Sequence, residues 1–215
     1  MKKILLVVSM FMAFSAGAVE PNPGVNFKKT KEVIPTDSPG KIEVIEMFWY
    51  GCIHCYTIDP YLDEWADNLP KDVVFKKLPA VPRKNWVPMA KAFYALETLD
   101  LDKKLHEKLF DAIHKTKTVD PGNEQSAINW IAVTSKKDIK EVEAAFKTFS
   151  MNAKISNSYK MFRAAGATGV PAIIIDGQYL TSSTMAGGEK NTIELMNFII
   201  AVSYTHLTLP TIVDV

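Results

Sequence analysis

The chain has 215 residues, 47% hydrophobic and 23% charged, with 25 basic against 24 acidic side chains. This composition excludes disorder, collagen-like repeats and a polytopic membrane protein, and the balanced charge speaks against a nucleic-acid groove or polybasic membrane patch. With 11 Phe, 7 Tyr and 4 Trp and only 2 Cys, the chain has apolar area for a sizeable core without a disulfide scaffold, so its function must reside in a local motif.

The first residues, MKKILLVVSMFMAFSAGA, combine two lysines, an apolar run from Ile4 to Phe14 and a small-x-small triplet ending at Ala18. This is the pattern of a cleavable secretory signal peptide, residues 1–18. The apolar run is about half the roughly 20 residues a membrane-spanning helix needs. A lipoprotein signal would end at a cysteine, and the cysteines lie far downstream, at 52 and 55. Removing Lys2 and Lys3 with the leader leaves the exported chain near neutral.

After an extended lead-in at Pro21, Pro23 and Gly24, residues Glu32–Thr36 read as a short edge strand before the Ser38-Pro39-Gly40 turn. The next run, KIEVIEMFWY, is apolar on both faces, with Ile42, Val44 and Phe48 on one and Ile45, Met47 and Trp49 on the other. That predicts a central strand covered by helices on both sides. Glu46 falls in the column of Ile42, Val44 and Phe48, which points a carboxylate into the interior. From Cys52 the spacing of Ile58, Leu62, Trp65 and Leu69 predicts an amphipathic helix with Pro60 inside it. A turn over Asn68–Lys71 and a strand over Val73–Leu78 complete a strand-helix-strand unit, hence a parallel crossover and an α/β fold.

Helical stripes follow at Trp86, Met89, Ala90, Phe93 and Leu96, at Leu101, Leu105, Leu109 and Ala112, and at Ile128, Ile131 and Ala132. Ser135, with Asp138 three residues on, reads as the N-cap of a helix carrying Ile139, Val142, Ala145, Phe146 and Phe149. A further helix from Ala153 to Ala165 is closed by Gly166. Together these make a helical insertion of about 80 residues, well above ordinary loop length. Sheet resumes with Ala172–Ile175, the hairpin dipeptide Asp176-Gly177 and Gln178–Thr181, before a Gly187-Gly188 break and a last helix over Thr192–Ile200. From Val202 the run VSYTHLTLPTIVDV resembles the translation of a sequencing adapter, so 202–215 is read as a non-native tail and His206 is given no role.

Cys52-Ile53-His54-Cys55 stands where the buried strand gives way to a helix. A helix N-terminus supplies unpaired N–H groups and partial positive charge, which stabilise a thiolate at Cys52. Cys55, one turn further in, should be more buried. Two thiols at this spacing can close a redox-active disulfide, and His54 can donate a hydrogen bond or positive charge to Cys52. A zinc half-site, an inert disulfide and two spectator thiols are the alternatives, but no set of ligands stands at zinc spacing. His106 and His114, eight residues apart on one predicted helix, are too far apart for a metal pair and read as surface or helix-end residues. The runs Lys103-Lys104 and Lys115–Lys117 read as solvated faces.

The segments EMFWYGCIHCYTIDP, VFKKL and ATGVPAIIIDGQY, set around a long helical insertion, resemble the DsbA family of periplasmic thiol-disulfide oxidoreductases within the thioredoxin superfamily. The resemblance covers roughly Phe27 to Ile200. It implies a thioredoxin-like domain formed by residues 19–82 and 167–201, interrupted by a helical domain at 83–166. It further implies that Cys52 is the exposed nucleophile and Cys55 its buried partner, and that Val170-Pro171, with a cis bond, faces them and holds the substrate backbone. Glu46 and Lys77 would form a buried pair beneath the dithiol that relays protons to Cys55, a structural ion pair being the alternative. Ile53 stands where the family commonly has proline, and Ile53 and Trp49 would border the substrate, although Trp49 also reads as a core or rim aromatic. The expected activity is donation of the Cys52–Cys55 disulfide to reduced, unfolded exported proteins by a monomer in the periplasm, with no dissociable cofactor or metal and reoxidation by a DsbB-type membrane quinone reductase. A disulfide reductase or isomerase and a non-catalytic peptide-binding chaperone are the competing readings.

Overall fold

The computed structural model describes residues 21–208, so the expected signal peptide lies outside them. The elements in chain order are β1 (Lys28–Lys29), β2 (Ile42–Phe48), α1 (Ile53–Ala66), β3 (Val73–Pro79), a 3-10 turn at Lys84–Trp86, α2 (Val87–Thr98), α3 (Asp102–His114), α4 (Glu124–Ser135), α5 (Ile139–Ala145), α6 (Met151–Ala165), β4 (Ala172–Ile175), β5 (Tyr179–Thr181), α7 (Ser183–Ala186) and α8 (Glu189–Thr208).

All seven residues of β2 are buried, because this strand lies inside a five-stranded sheet of order β1-β5-β4-β2-β3. β3 runs parallel to β2, with Glu46 opposite Lys77. β4 runs antiparallel to β2 on its other side, and β5 and β1 continue outward antiparallel. The two apolar columns of β2 go to different layers. Ile42 and Val44 pack with Ile58 and Leu62 of α1 and with Leu195, Met196 and Ile199 of α8. Ile45 and Met47 pack with Phe162 and Ala165 of α6. Phe48, at the end of the strand, enters the core of the helical segment beside Phe93, Leu105 and Phe110. β2 thus joins sheet and insertion at the point where the chain turns toward Cys52.

Local chemistry accounts for the boundaries. Asp176 and Gly177 both adopt positive φ, 53° and 64°, as the tight β4–β5 hairpin requires. A Cβ on Gly177 would also stand 2.0 Å from the Ile34 carbonyl. Gly166 closes α6 in the left-handed conformation. Asn123 caps α4, its side chain accepting from the N–H groups of Gln125 and Ser126.

Several expectations need correction. The edge strand is Lys28–Lys29, not Glu32–Thr36, where Ile34 donates one bond to the Gly177 carbonyl. Ser135 ends α4, with its hydroxyl donating to the Ile131 carbonyl, and Asp138 is the cap of α5. Ile139 and Phe149 are exposed rather than buried, since α5 ends at Ala145 and the stripe does not continue beyond Phe146. The last helix does not stop at Ile200. It continues to Thr208, because Ser203 and Tyr204 extend the face set by Ile199 and Ile200, and only 209–215 of the expected tail lie outside the described residues.

Candidate active site

Cys52 is the N-cap of α1, with extended backbone at φ −92° and ψ 118°. Its N–H donates to the Trp49 carbonyl and its carbonyl accepts from Tyr56 N–H, which closes the turn between strand and helix. Gly51 makes that turn possible, because a Cβ there would meet the Trp49 ring at 2.4 Å. Both cysteines are thiols, Cys52 half-buried and Cys55 buried.

The two sulfurs have opposite acidities. A hydrogen bond from Cys55 lowers the Cys52 thiol to about 6 against the opposition of burial, helped by the backbone N–H groups of Cys55 and His54 and by the nearby His54 imidazole. Burial pushes Cys55 well above its ordinary value, and the adjacent Cys52 and Glu46 add to this. At neutral pH the accessible sulfur is thus mostly thiolate and its partner a thiol, the division of labour required for dithiol exchange.

Across from Cys52 stands the loop 167–171. The Val170–Pro171 bond is cis, and the Val170 carbonyl oxygen stands 3.3 Å from Cys52 Sγ, an acceptor for its thiol form. His54 and this loop border a cleft of about 280 Å³ that continues past Leu180, Thr184 and Met185. Ile53 is half exposed beside the sulfur. Trp49 is half-buried, stacked on Trp86 with 4.4 Å between ring centroids and 5° between planes, and its indole N–H is buried without a partner. Trp49 is therefore fixed in the rim by the first turn of the insertion.

Beneath the dithiol the structure corrects the expected Glu46–Lys77 pair. The Lys77 ammonium binds two carboxylates of α1 instead, Asp59 and Asp63, each at 2.6 Å. Both carboxylate oxygens of Glu46 are buried and have no hydrogen-bond partner. Glu43 and Asp59, the other buried acids among the described residues, are both paired, Glu43 with Lys76 and Ser38. Burial pushes the Glu46 carboxyl up to about 8, the facing Lys77 charge offsetting only part of the effect, so Glu46 carries a proton at neutral pH. Asp59 moves the other way, held below its ordinary value by His106 and Lys77 despite its burial.

His106 is not a surface residue, whereas His114, half-buried, is the last residue of α3, as the helix-end reading expected. His106 is buried, its Nδ1 2.7 Å from Tyr50 Oη and its Nε2 3.1 Å from Asp59 Oδ1. His114 Nε2 donates to the Tyr50 carbonyl at 2.7 Å, and its ring stacks on Tyr56. Sequence reasoning missed Tyr50, Asp59 and His106 as one cluster. A signal existed for His106, which stands three, four and seven residues before Leu109, Phe110 and Ile113, on the buried face of α3. No group of three or more His, Cys, Asp or Glu residues among the described residues is arranged to hold a metal ion.

The arrangement has counterparts among known proteins. A family model described as a DSBA-like thioredoxin domain matches residues 62–195. The chain is 31% identical over 208 residues to a thiol:disulfide interchange protein DsbA of Burkholderia cepacia, covering 93% of this chain and 96% of that one. It is 32% identical over 197 residues to the Pseudomonas syringae pv. tomato protein of the same name, covering 91% of each. Among solved structures, the crystal structure of Pseudomonas aeruginosa DsbA superposes with a TM-score of 0.81 at 28% identity, over 87% of this chain and 97% of that one. With its five-stranded sheet, helical insertion and Cys52–Cys55 pair, the chain belongs to the DsbA family of thiol:disulfide oxidoreductases.

Proposed function

We propose that this oxidoreductase works as an oxidase in the periplasm, donating the Cys52–Cys55 disulfide to reduced, unfolded exported proteins. The observation that carries the reading is the opposed acidity of the two sulfurs, Cys52 lowered to about 6 and Cys55 raised. Stabilising the Cys52 thiolate stabilises the reduced enzyme and so makes its disulfide a stronger oxidant. An apolar surface of Ile53, Val170 and Trp49 beside the sulfur suits an unfolded chain, with the Val170-Pro171 loop as the place where its backbone lies.

In the reaction a substrate thiolate attacks Cys52 Sγ, the Cys52–Cys55 bond breaks and Cys55 departs. A Cys55 thiolate is strongly disfavoured in its buried site, so the sulfur needs a proton as it leaves. Glu46, protonated at neutral pH and adjacent, is placed to give it. A second substrate thiol, ionised to its thiolate, then attacks the mixed disulfide, and Cys52 leaves as its stabilised thiolate. The substrate loses two electrons and the dithiol gains them. A membrane quinone reductase of the DsbB type would take them onward, and the signal-like N-terminus agrees with work outside the cytoplasm. The enzyme acts as a monomer, with the dithiol as its own redox group.

The test is the reduction potential of the Cys52–Cys55 couple, read by tryptophan fluorescence in glutathione buffers. A value well above the roughly −270 mV of thioredoxin supports the oxidase. A value near or below it, with Ile53 in place of the family's usual proline, replaces the oxidase by a reductase. Peptide binding retained in Cys52→Ser with unchanged activity in a folding assay would favour a chaperone.

A further inference from the structure

Asp59 follows Cys55 by one helical turn, on the same buried side of α1. Its Oδ1 has two partners, Lys77 Nζ at 2.6 Å and His106 Nε2 at 3.1 Å. The Asp59 carboxylate can only accept, so His106 Nε2 donates to it, and Nδ1 is hydrogen-bonded to Tyr50 Oη at 2.7 Å. Every polar atom of His106 is thereby satisfied. Phe48, Phe93 and Phe110 enclose the rest of the ring. Asp59 is therefore tied to the helical insertion as well as to the sheet.

This matters because three carboxyl groups surround Lys77. It lies on Asp59 and Asp63, while Glu46, opposite it in the strand register, has no hydrogen-bond partner. A buried ammonium must keep a counter-charge, and whichever carboxyl it approaches is driven toward ionisation. The hold of Asp59, with Asp63, on the ammonium thus bears on whether Glu46 is a neutral acid or an anion. We propose that His106 is a positioning residue of the dithiol chemistry, fixing Asp59 so that the Lys77 ammonium stays on α1 and Glu46 remains protonated beside Cys55. The inference rests on the reading that Glu46 exchanges a proton with Cys55.

The other charged groups near His106 stand around an open groove of about 720 Å³ that His106 and Lys77 also line: Asp63 of α1, Glu97 of α2, and Asp102, Lys103 and Glu107 of α3 itself. None of them is hydrogen-bonded to the His106 ring, whose partners are Tyr50 and Asp59.

The test follows ring closure. Reduced protein mixed with excess glutathione disulfide forms a mixed disulfide at Cys52, and the concentration-independent phase that follows is attack by Cys55. In that step the Cys55 thiol gives its proton to the Glu46 carboxylate, its sulfur bonds to Cys52 Sγ, and glutathione leaves as the thiolate. The wild-type closure rate should therefore rise with pH and bend near the Glu46 midpoint of about 8. His106→Phe keeps the aromatic packing and removes both hydrogen bonds. The expected result is a bend lower by about one pH unit and closure roughly five-fold faster at neutral pH, as ionised Glu46 becomes more abundant. His106→Gln, which keeps a donor within reach of Asp59, should restore the wild-type bend, and the ultraviolet absorbance of the Cys52 thiolate should titrate alike in all three proteins. If His106→Phe does not fold, His106→Asn, which keeps an acceptor for Tyr50 and lacks the reach to Asp59, carries the same expectation. An unmoved bend in a folded variant, or failure of Gln to restore it, overturns the role of His106. A bend that survives in Glu46→Gln overturns instead the proton exchange on which the inference rests.

Discussion

Replacing Glu46 by glutamine should convert a pH-dependent stability into a flatter one. In the unfolded chain the carboxyl titrates at its ordinary 4.5, and in the folded protein burial pushes it up to about 8. The folded state holds that proton more tightly, so the corresponding stabilisation is fully present below about pH 4.5 and is lost as pH rises through about 8. At about 1.4 kcal/mol per pH unit between the two midpoints, some 2–3 kcal/mol disappears between about pH 5 and pH 7. Glutamine fills nearly the same volume and cannot ionise. The unfolding free energy of Glu46→Gln minus that of wild type should therefore rise by roughly 2–3 kcal/mol over that interval. Urea denaturation of both proteins in their oxidised forms, where neither thiol titrates, measures the difference, with equal m-values as the check that the unfolded states are alike. A difference that stays constant across the interval would mean that Glu46 is ionised in the folded protein, and the buried neutral acid would have to be abandoned.

Three further substitutions probe the surroundings. His54→Ala should raise the Cys52 midpoint above its present value of about 6, since the imidazole contributes to lowering it; thiolate absorbance measures this, and an unchanged midpoint would remove His54 from the electrostatics of the site. Gly51→Ala drives a methyl group into the Trp49 ring, so it should destabilise by roughly 1–3 kcal/mol, as overpacking does, and change the tryptophan emission; a wild-type melting temperature would refute the contact. Asn123→Ala removes the cap of α4 and should cost about 1 kcal/mol in denaturation experiments while leaving Cys52 reactivity untouched, as befits a residue remote from the dithiol.

Elements whose cues are local were legible in the sequence. The double-faced apolar run of β2, the Asp176-Gly177 hairpin and the Gly166 stop each depend on residues within a few positions of one another. The thiol pair was legible for the same reason, since a strand-to-helix junction and its N–H groups are written into consecutive residues. Ionic partners were not. The family resemblance implies a Glu46–Lys77 pair, and strand register does set the two side by side, yet Asp59 and Asp63, on a helix above the sheet, take the lysine. No period in the sequence reveals which of three carboxylates an ammonium will reach. His106 was misread as a surface residue because histidine is usually found there, although its place among Leu109, Phe110 and Ile113 marks the buried face of α3. The edge strand was misplaced for another reason: at two residues, Lys28–Lys29 carries no alternation to read.

That short strand has a consequence for a thiol:disulfide oxidoreductase. Every open sheet leaves two rows of backbone groups able to recruit further strands, and an unfolded client is a ready supply of them. Here one border consists of two exposed lysines, too short and too highly charged to template a fibril. The other, β3, carries Lys76 and Lys77 and ends at Pro79, which has no N–H to offer. Both borders are thus blunted against strand-by-strand growth, which under the proposed function would let a client be engaged at the sulfur-bearing cleft without being incorporated.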